Sequence, residues 1–289
     1  MSTRLIGPLI GLGFCVVLLF SFVTGLFNFV SEPALPTAET EFHLEPEPLA
    51  LSTNGPFGRF DRQQLQRGFQ VYREVCSSCH GLTRVHFRDL AELGYSEAAV
   101  KKIAVDWAVQ QPSVNAETGE PATRPGLPAD PIPSPYPNEV AARAANNNAY
   151  PPDLSLIVKA REGAAPYVHS LLTGYRAQPP ELLRQFPDAK SPKGLYYNPY
   201  FANLNIAMPA PLVADGQVGY EDGTPATIDQ MSTDVAAFLV WTAEPKLETR
   251  KATGFASLIF LAIFTVLAWM SYKTIWAPVK HERDPLPAE

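Results

Sequence analysis

Cys76-Ser77-Ser78-Cys79-His80 is the stretch on which the reading of this chain turns. Two cysteines three apart, with a histidine directly after the second, form the C-x-x-C-H signature of covalent haem attachment. On a helix, positions i, i+3 and i+4 share a face, so Cys76, Cys79 and His80 would point one way. Both thiols could then form thioethers to the haem vinyl groups while His80 reaches the iron from one side. A redox dithiol of the thioredoxin type wants a βαβ context, which the flanking sequence lacks. Half of a zinc site would want further cysteines or paired histidines. The third cysteine, Cys15, lies inside an apolar run, which also leaves no pair for a structural disulfide.

A ligand for the opposite side of the iron is sought among Met208, Met231, His43, His86 and His169. Met231 falls on the apolar face of a helix, His43 in a Pro- and Glu-rich stretch, and His86 too close to the motif to swing over the ring. Met208, in Asn-Ile-Ala-Met-Pro-Ala-Pro, sits in a proline-stiffened loop far enough along the chain to reach it. His169 stands as the alternative. A Met/His pair would close both axial positions and raise the reduction potential, which suits electron transfer and disfavours oxygen or peroxide chemistry.

Working outward from the motif, Leu65, Phe69, Tyr72 and Cys76 recur at helical period, with Asp61 and Gln64 shaped as a capping box and Gly81 placed to end the helix. A weaker amphipathic pattern covers 89–110. Between Pro112 and Pro152 stand ten prolines, which exclude long helix or central strand and imply an extended wrapping segment. Helical spacing resumes from Pro152 to Arg161, and a last helix is expected over about Ile228–Thr242, with Thr227 and Gln230 as its box. Residues 31–54 read as a tether.

Two uncharged runs bracket this soluble part: Leu5–Val30, 26 residues, and Ala252–Tyr272, 21 residues. Each exceeds the roughly 18 apolar residues that mark a membrane-spanning helix. The first, behind Arg4, is either a retained anchor or a signal segment. The second is followed by Lys273, Lys280 and Arg283, with Trp269, Tyr272 and Trp276 near its exit, the pattern of a cytoplasmic interface. The expected order is therefore 1–30 signal or anchor, 31–54 tether, 55–250 exported haem domain, 251–273 transmembrane helix and 274–289 cytoplasmic tail. Residues 31–250 carry 26 acidic and 18 basic side chains, a formal charge of −8. That balance argues against nucleic acid and suits a basic partner.

Several motifs in order resemble one family. They are Phe-Asp-Arg-Gln-Gln-Leu-Gln-Arg-Gly-Phe-Gln-Val-Tyr leading into CSSCH, Ala-Arg-Ala-Ala-Asn-Asn with Pro-Pro-Asp-Leu-Ser, and Gly-Leu-Tyr-Tyr-Asn-Pro-Tyr-Phe. Met208-Pro, Glu-Asp-Gly-Thr-Pro-Ala-Thr and Trp-Thr-Ala-Glu-Pro-Lys complete the set. From about Gly55 to Pro278 the chain resembles cytochrome c1, the haem subunit of the quinol–cytochrome c oxidoreductase (bc1) complex, of the alphaproteobacterial kind. The resemblance implies a mainly α, class I cytochrome c-like domain whose first and last helices cross, with Gly68, Ala236 and Ala237 permitting the approach. It implies that Arg161 and Tyr167 face a haem propionate and that Asn146, with Asn147, holds the haem-edge loop. It implies a single haem c and an electron relay from a Rieske iron–sulfur protein to a cytochrome c. The same likeness places the chain beside cytochrome b in a dimeric complex of the bacterial inner membrane, with quinol chemistry belonging to that partner. An extra cysteine pair before the methionine ligand, present in some bacterial relatives, is absent here. An anchored haem subunit of a terminal oxidase or nitric oxide reductase is the competing reading, and a peroxidase-like haem enzyme a third.

Overall fold

The computed structural model describes residues 3–31 and 35–281. The tail beyond 281, with Arg283, lies outside the described residues, as do residues 32–34 of the expected tether and the side chains of Arg4 and Lys280. The helices are α1 (Thr3–Ser31), α2 (Ala38–Phe42), α3 (Arg62–Glu74), α4 (Glu97–Val105), α5 (Glu139–Ala145), α6 (Ile157–Ala160), α7 (Ala164–Thr173), α8 (Pro180–Gln185), α9 (Ile228–Ala243) and α10 (Leu247–His281). Among the described residues the strands form three antiparallel two-stranded ladders. They are β1 (Leu82–His86) with β4 (Pro131–Ile132), β2 (Gln111–Val114) with β3 (Pro121–Arg124), and β5 (Tyr196–Tyr197) with β6 (Asn205–Ile206). The chain is mainly α, as expected, and the proline-rich segment contributes only β2, β3, β4 and α5.

Two compact units result. One comprises the described residues up to His43 together with Gln178–Lys190. In it α2, capped by reciprocal Thr37–Thr40 bonds, packs on α8, with the Phe42 and Phe186 rings edge to face at 6.3 Å. This helix lies in the stretch read as an aperiodic tether. The second unit comprises Leu44–Ala177 and Ser191 onward, and holds the haem motif and α10.

The second unit is organised by the crossing of α3 and α9. A Cβ on Gly68 would lie 2.1 Å from the Asp234 carbonyl oxygen and 2.6 Å from the Phe238 Cβ, so only glycine lets the two backbones meet. Ala237 borders that face. Ala236, two residues from Asp234, turns to the opposite side, so the small-residue expectation holds for Gly68 and not for Ala236. Around the crossing Phe69, Tyr72, Phe87, Trp107, Phe238 and Trp241 pack into an aromatic core of stacked, tilted and edge-to-face pairs.

Both expected N-caps form: Asp61 accepts from Gln63 and Gln64 N–H at 3.0 and 3.2 Å, and Thr227 accepts from Gln230 N–H at 3.1 Å. The reciprocal halves of the boxes do not. Gln64 and Gln230 instead both donate to Asp234 Oδ1, at 3.1 and 2.8 Å, and Arg67 Nε donates to Asp234 Oδ2 at 2.8 Å. Asp234 is fully buried, and these partners satisfy a carboxylate that would otherwise be costly there.

At the ends, Ile6–Ser31 and Leu247–Val279 are long and apolar enough to cross a bilayer, with mean hydropathy 2.5 and 2.0. Pro245, which has no N–H to donate, separates α9 from α10. Helix α10 runs unbroken past residue 274, the first of the expected tail, to His281.

Candidate haem-binding site

The helix entering the motif stops earlier than its periodicity suggested. Helix α3 ends at Glu74, and Cys76–Ser78 form a tighter 3-10 turn. Ser77 Oγ donates to the Arg73 carbonyl at 2.7 Å and Ser78 Oγ to the Val75 carbonyl at 2.9 Å. The two serines thus satisfy carbonyls that a finished helix leaves open. His80 N–H still bonds the Cys76 carbonyl at 2.9 Å, one full helical turn, which keeps Cys76 and His80 on one side. Gly81 does not cap the helix. It lies under the loop before Tyr136 instead, where a Cβ would come 3.0 Å from the Ser134 Cα.

Residues 152–155, far along the chain, brace the motif at its C-terminal side. His80 Nδ1 donates to the Pro152 carbonyl at 2.7 Å. Leu154 N–H bonds the Gly81 carbonyl at 3.0 Å, and Arg84 N–H bonds Ser155 Oγ at 3.2 Å. Asp153 accepts from Thr83 N–H and Oγ1 and from Ser155 N–H, all within 2.9 Å. Burial opposes charge on Asp153, but these hydrogen bonds outweigh it and hold its carboxyl below the usual range. Below the motif, the buried Tyr72 hydroxyl donates to the His80 carbonyl at 2.8 Å.

The consequence is chemical. With Nδ1 occupied as a donor, the lone pair of His80 falls on Nε2, the nitrogen free to bind a metal. Burial also lowers the His80 pKa, keeping the ring neutral. Cys76 packs against the core and Cys79 is half-buried; neither is in a disulfide, and burial pushes the free Cys76 thiol up to about 12. Among the described residues no group of three or more His, Cys, Asp or Glu side chains is placed to hold a metal ion.

Met208 lies just past β6, half-buried, its carbonyl accepting from the Tyr175 hydroxyl at 3.0 Å. That bond ties the loop to the end of α7. His169, the alternative ligand, is buried in α7 with Nε2 held by Asp229 Oδ1 at 2.9 Å. Arg161 and Tyr167 are neighbours: burial raises the Tyr167 pKa, and the adjacent guanidinium opposes the rise. Asn146 closes α5 by donating from Nδ2 to the Ala142 carbonyl at 2.7 Å. Asn147, at φ 51°, donates to the Gly194 carbonyl at 3.4 Å, joining this turn to the segment before β5. Pro152, Asp153, Ser155, Tyr72 and Tyr175 were not legible as site residues, because their roles run through contacts up to 72 residues apart or through backbone atoms.

Fold and motif define a membrane-anchored c-type cytochrome: a mainly helical domain built around a C-x-x-C-H turn and joined to a long apolar helix. Comparison with known proteins gives the family. The model of the Cytochrome C1 family matches residues 51–279, and the chain belongs to it. It is 47% identical over 239 residues to cytochrome c1 of Rhodospirillum rubrum, covering 80% of this chain and 87% of that one. It is 47% identical over 232 residues to the mitochondrial cytochrome c1 haem protein of Saccharomyces cerevisiae, covering 80% and 72%. With cytochrome b/c1 of Bradyrhizobium diazoefficiens the identity is 49% over 238 residues, 77% of this chain and 34% of that longer protein. The chain is accordingly an electron-transfer subunit of a bc1 complex and carries covalently bound haem c; the oxidase-subunit reading is not favoured.

Proposed function

We propose that Cys76 and Cys79 would form the two thioethers, that His80 Nε2 and Met208 Sδ would bind the haem iron, and that Arg161 and Tyr167 would face a propionate. The observation that carries this is the 2.7 Å bond from His80 Nδ1 to the Pro152 carbonyl, which leaves Nε2 oriented and basic for iron. The engagement of His169 by Asp229 supports Met208 over the alternative. When bound, the haem supplies a one-electron iron couple whose potential a Met/His pair raises. The side chains do the rest. With both residues on the iron no position would be left open to small molecules; the Pro152–Ser155 brace holds the imidazole, and Tyr175 fixes the loop bearing Met208. Arg161 offers a charge-assisted partner for a carboxylate.

In this reading electrons arrive from a Rieske iron–sulfur protein and leave to a cytochrome c, within a dimeric quinol–cytochrome c reductase that also holds cytochrome b. The relative named cytochrome b/c1 and the acidic balance of the domain support such partners. We place the haem domain, residues 55–250, in the periplasm, with the 251–273 span in the inner membrane and the C-terminus in the cytoplasm.

Two measurements test this. Replacing Met208 by Leu should lower the haem potential and let carbon monoxide bind; an unchanged potential would show that Met208 is not a ligand. Mass spectrometry of what co-purifies from mild-detergent membranes should find a multi-span cytochrome b and a Rieske protein. A haem–copper oxidase subunit in their place would keep the haem relay and discard the complex.

A further inference from the structure

The loop of residues 53–60 is folded around the first turns of α10. Lys251 Nζ donates to the carbonyls of Thr53 at 2.7 Å, Gly55 at 2.6 Å and Gly58 at 3.5 Å, and Glu248 Oε1 accepts the Phe60 N–H at 2.7 Å. Two glycines make this collar. Gly55 sits at φ 74°, and a Cβ on Gly58 would stand 2.4 Å from the Thr53 and Asn54 carbonyl oxygens. The ammonium is thereby spent on protein carbonyls instead of reaching for lipid headgroups, and the loop is fixed at the level where α10 begins its apolar run.

At the tip of the collar Pro56 and Phe57 are exposed, Phe57 by 73%. Its ring meets that of Phe255 edge to face at 5.6 Å. Phe255, itself 52% exposed, lies four residues beyond Lys251 inside the apolar span. A phenyl ring held on a loop beside the outermost apolar turn of a membrane helix stands at the boundary between headgroups and acyl chains. Arg59, two residues on, is exposed and has no ion-pair partner among the described residues, which suits a lipid phosphate. A protein partner is the poorer occupant. One ring and a proline flanked by Asn54 and Arg59 fall far below the roughly 800 Å² per side of a stable interface, while the rest of α10 continues the same apolar surface.

We propose that residues 53–60 are a lipid-facing foot: Phe57 seats in the bilayer interface beside Phe255, Arg59 meets lipid phosphates, and the Lys251 collar sets the pose of the haem domain on its anchor. The proposal rests on α10 spanning the membrane. It is tested on the full-length holoprotein in nanodiscs of phosphatidylethanolamine and phosphatidylglycerol. Cys15 is replaced by serine, Cys76 and Cys79 are consumed by the haem, and a nitroxide is placed at Pro56→Cys, leaving Phe57 intact. Accessibility to oxygen and to a nickel chelate is compared with labels at Val140→Cys and Phe264→Cys. The expected oxygen-to-nickel ratio at 56 lies several-fold above that at 140 and falls at least twofold when Lys251 is changed to Met. A ratio equal to that at 140, with 264 shielded from nickel, would overturn the foot alone; nickel reaching 264 would overturn the span as well. A label at 56 closed to both reagents in the intact complex would mean a protein covers the loop, against the proposal. An unchanged ratio in Lys251→Met would remove the collar as the cause.

Discussion

At the residue scale the orientation of His80 depends on groups outside the Cys-x-x-Cys-His motif. His80 is aimed by the Pro152 carbonyl, and Pro152 is in turn held because Asp153 and Ser155 bond the strand that leaves the motif. Replacing Asp153 by Asn keeps the shape but gives three donors only one acceptor oxygen. We expect a loss of about 2–3 kcal/mol at pH 7, measured by urea denaturation. The sign with pH comes from its depressed pKa. A carboxyl lowered on folding contributes stability that is complete above its ordinary value of about 3.9 and is lost as pH falls through the folded value. The gap between wild type and Asp153→Asn should therefore narrow below about pH 4; a constant gap would show that the charge on Asp153 is not what stabilises the brace.

At the element scale, the α3–α9 crossing sets where the motif is presented. Gly68→Ala would drive a methyl into the Asp234 carbonyl, and overpacking at a backbone contact should cost about 3 kcal/mol, lowering the melting temperature by roughly 6–12 °C. The same crossing buries an ionic cluster: Arg67 donates to Asp234 and, at 2.7 Å, to Asp222, and lies over the Tyr220 ring. Burial opposes charge on Arg67, yet the two carboxylates raise its pKa overall. Arg67→Met should cost about 3–5 kcal/mol, since Asp234 would be left charged and buried. Arg67→Met with Asp234→Leu should recover about 1–3 kcal/mol relative to the sum of the single changes; strict additivity in the denaturation cycle would mean the pair is not coupled.

Across the whole molecule, the basic residues at the two ends of α10 are used differently. Arg250 pairs with Glu244 and Lys251 is enclosed by the collar, so the cations at the haem-domain end are consumed internally. At the other end Lys273 lies over the Trp269 ring at 5.3 Å, beside the Tyr272–Trp276 pair, in the manner of an interfacial belt. An epitope fused to the C-terminus should survive protease added to spheroplasts while the haem domain is cut away. Loss of the epitope with the haem domain intact would reverse the orientation proposed for the span.

The haem motif, the N-caps at Asp61 and Thr227 and the two apolar runs were readable from the chain, because each depends on spacing within a few residues or on the length of one segment, whereas the small residue at 68 was implied only by the family resemblance. The tertiary structure alone decided where α3 stops, why Gln64 and Gln230 leave their capping boxes for Asp234, and which carbonyl orients His80. It also engaged Arg250 with Glu244 and Lys251 with the carbonyls of the 53–60 loop. Where Gln64 and Gln230 turn to Asp234, a local preference worth about a kilocalorie or less gives way to the needs of a buried carboxylate. A buried carboxylate, imidazole or ammonium must find its partners wherever the fold brings them, and sequence distance carries no record of that choice.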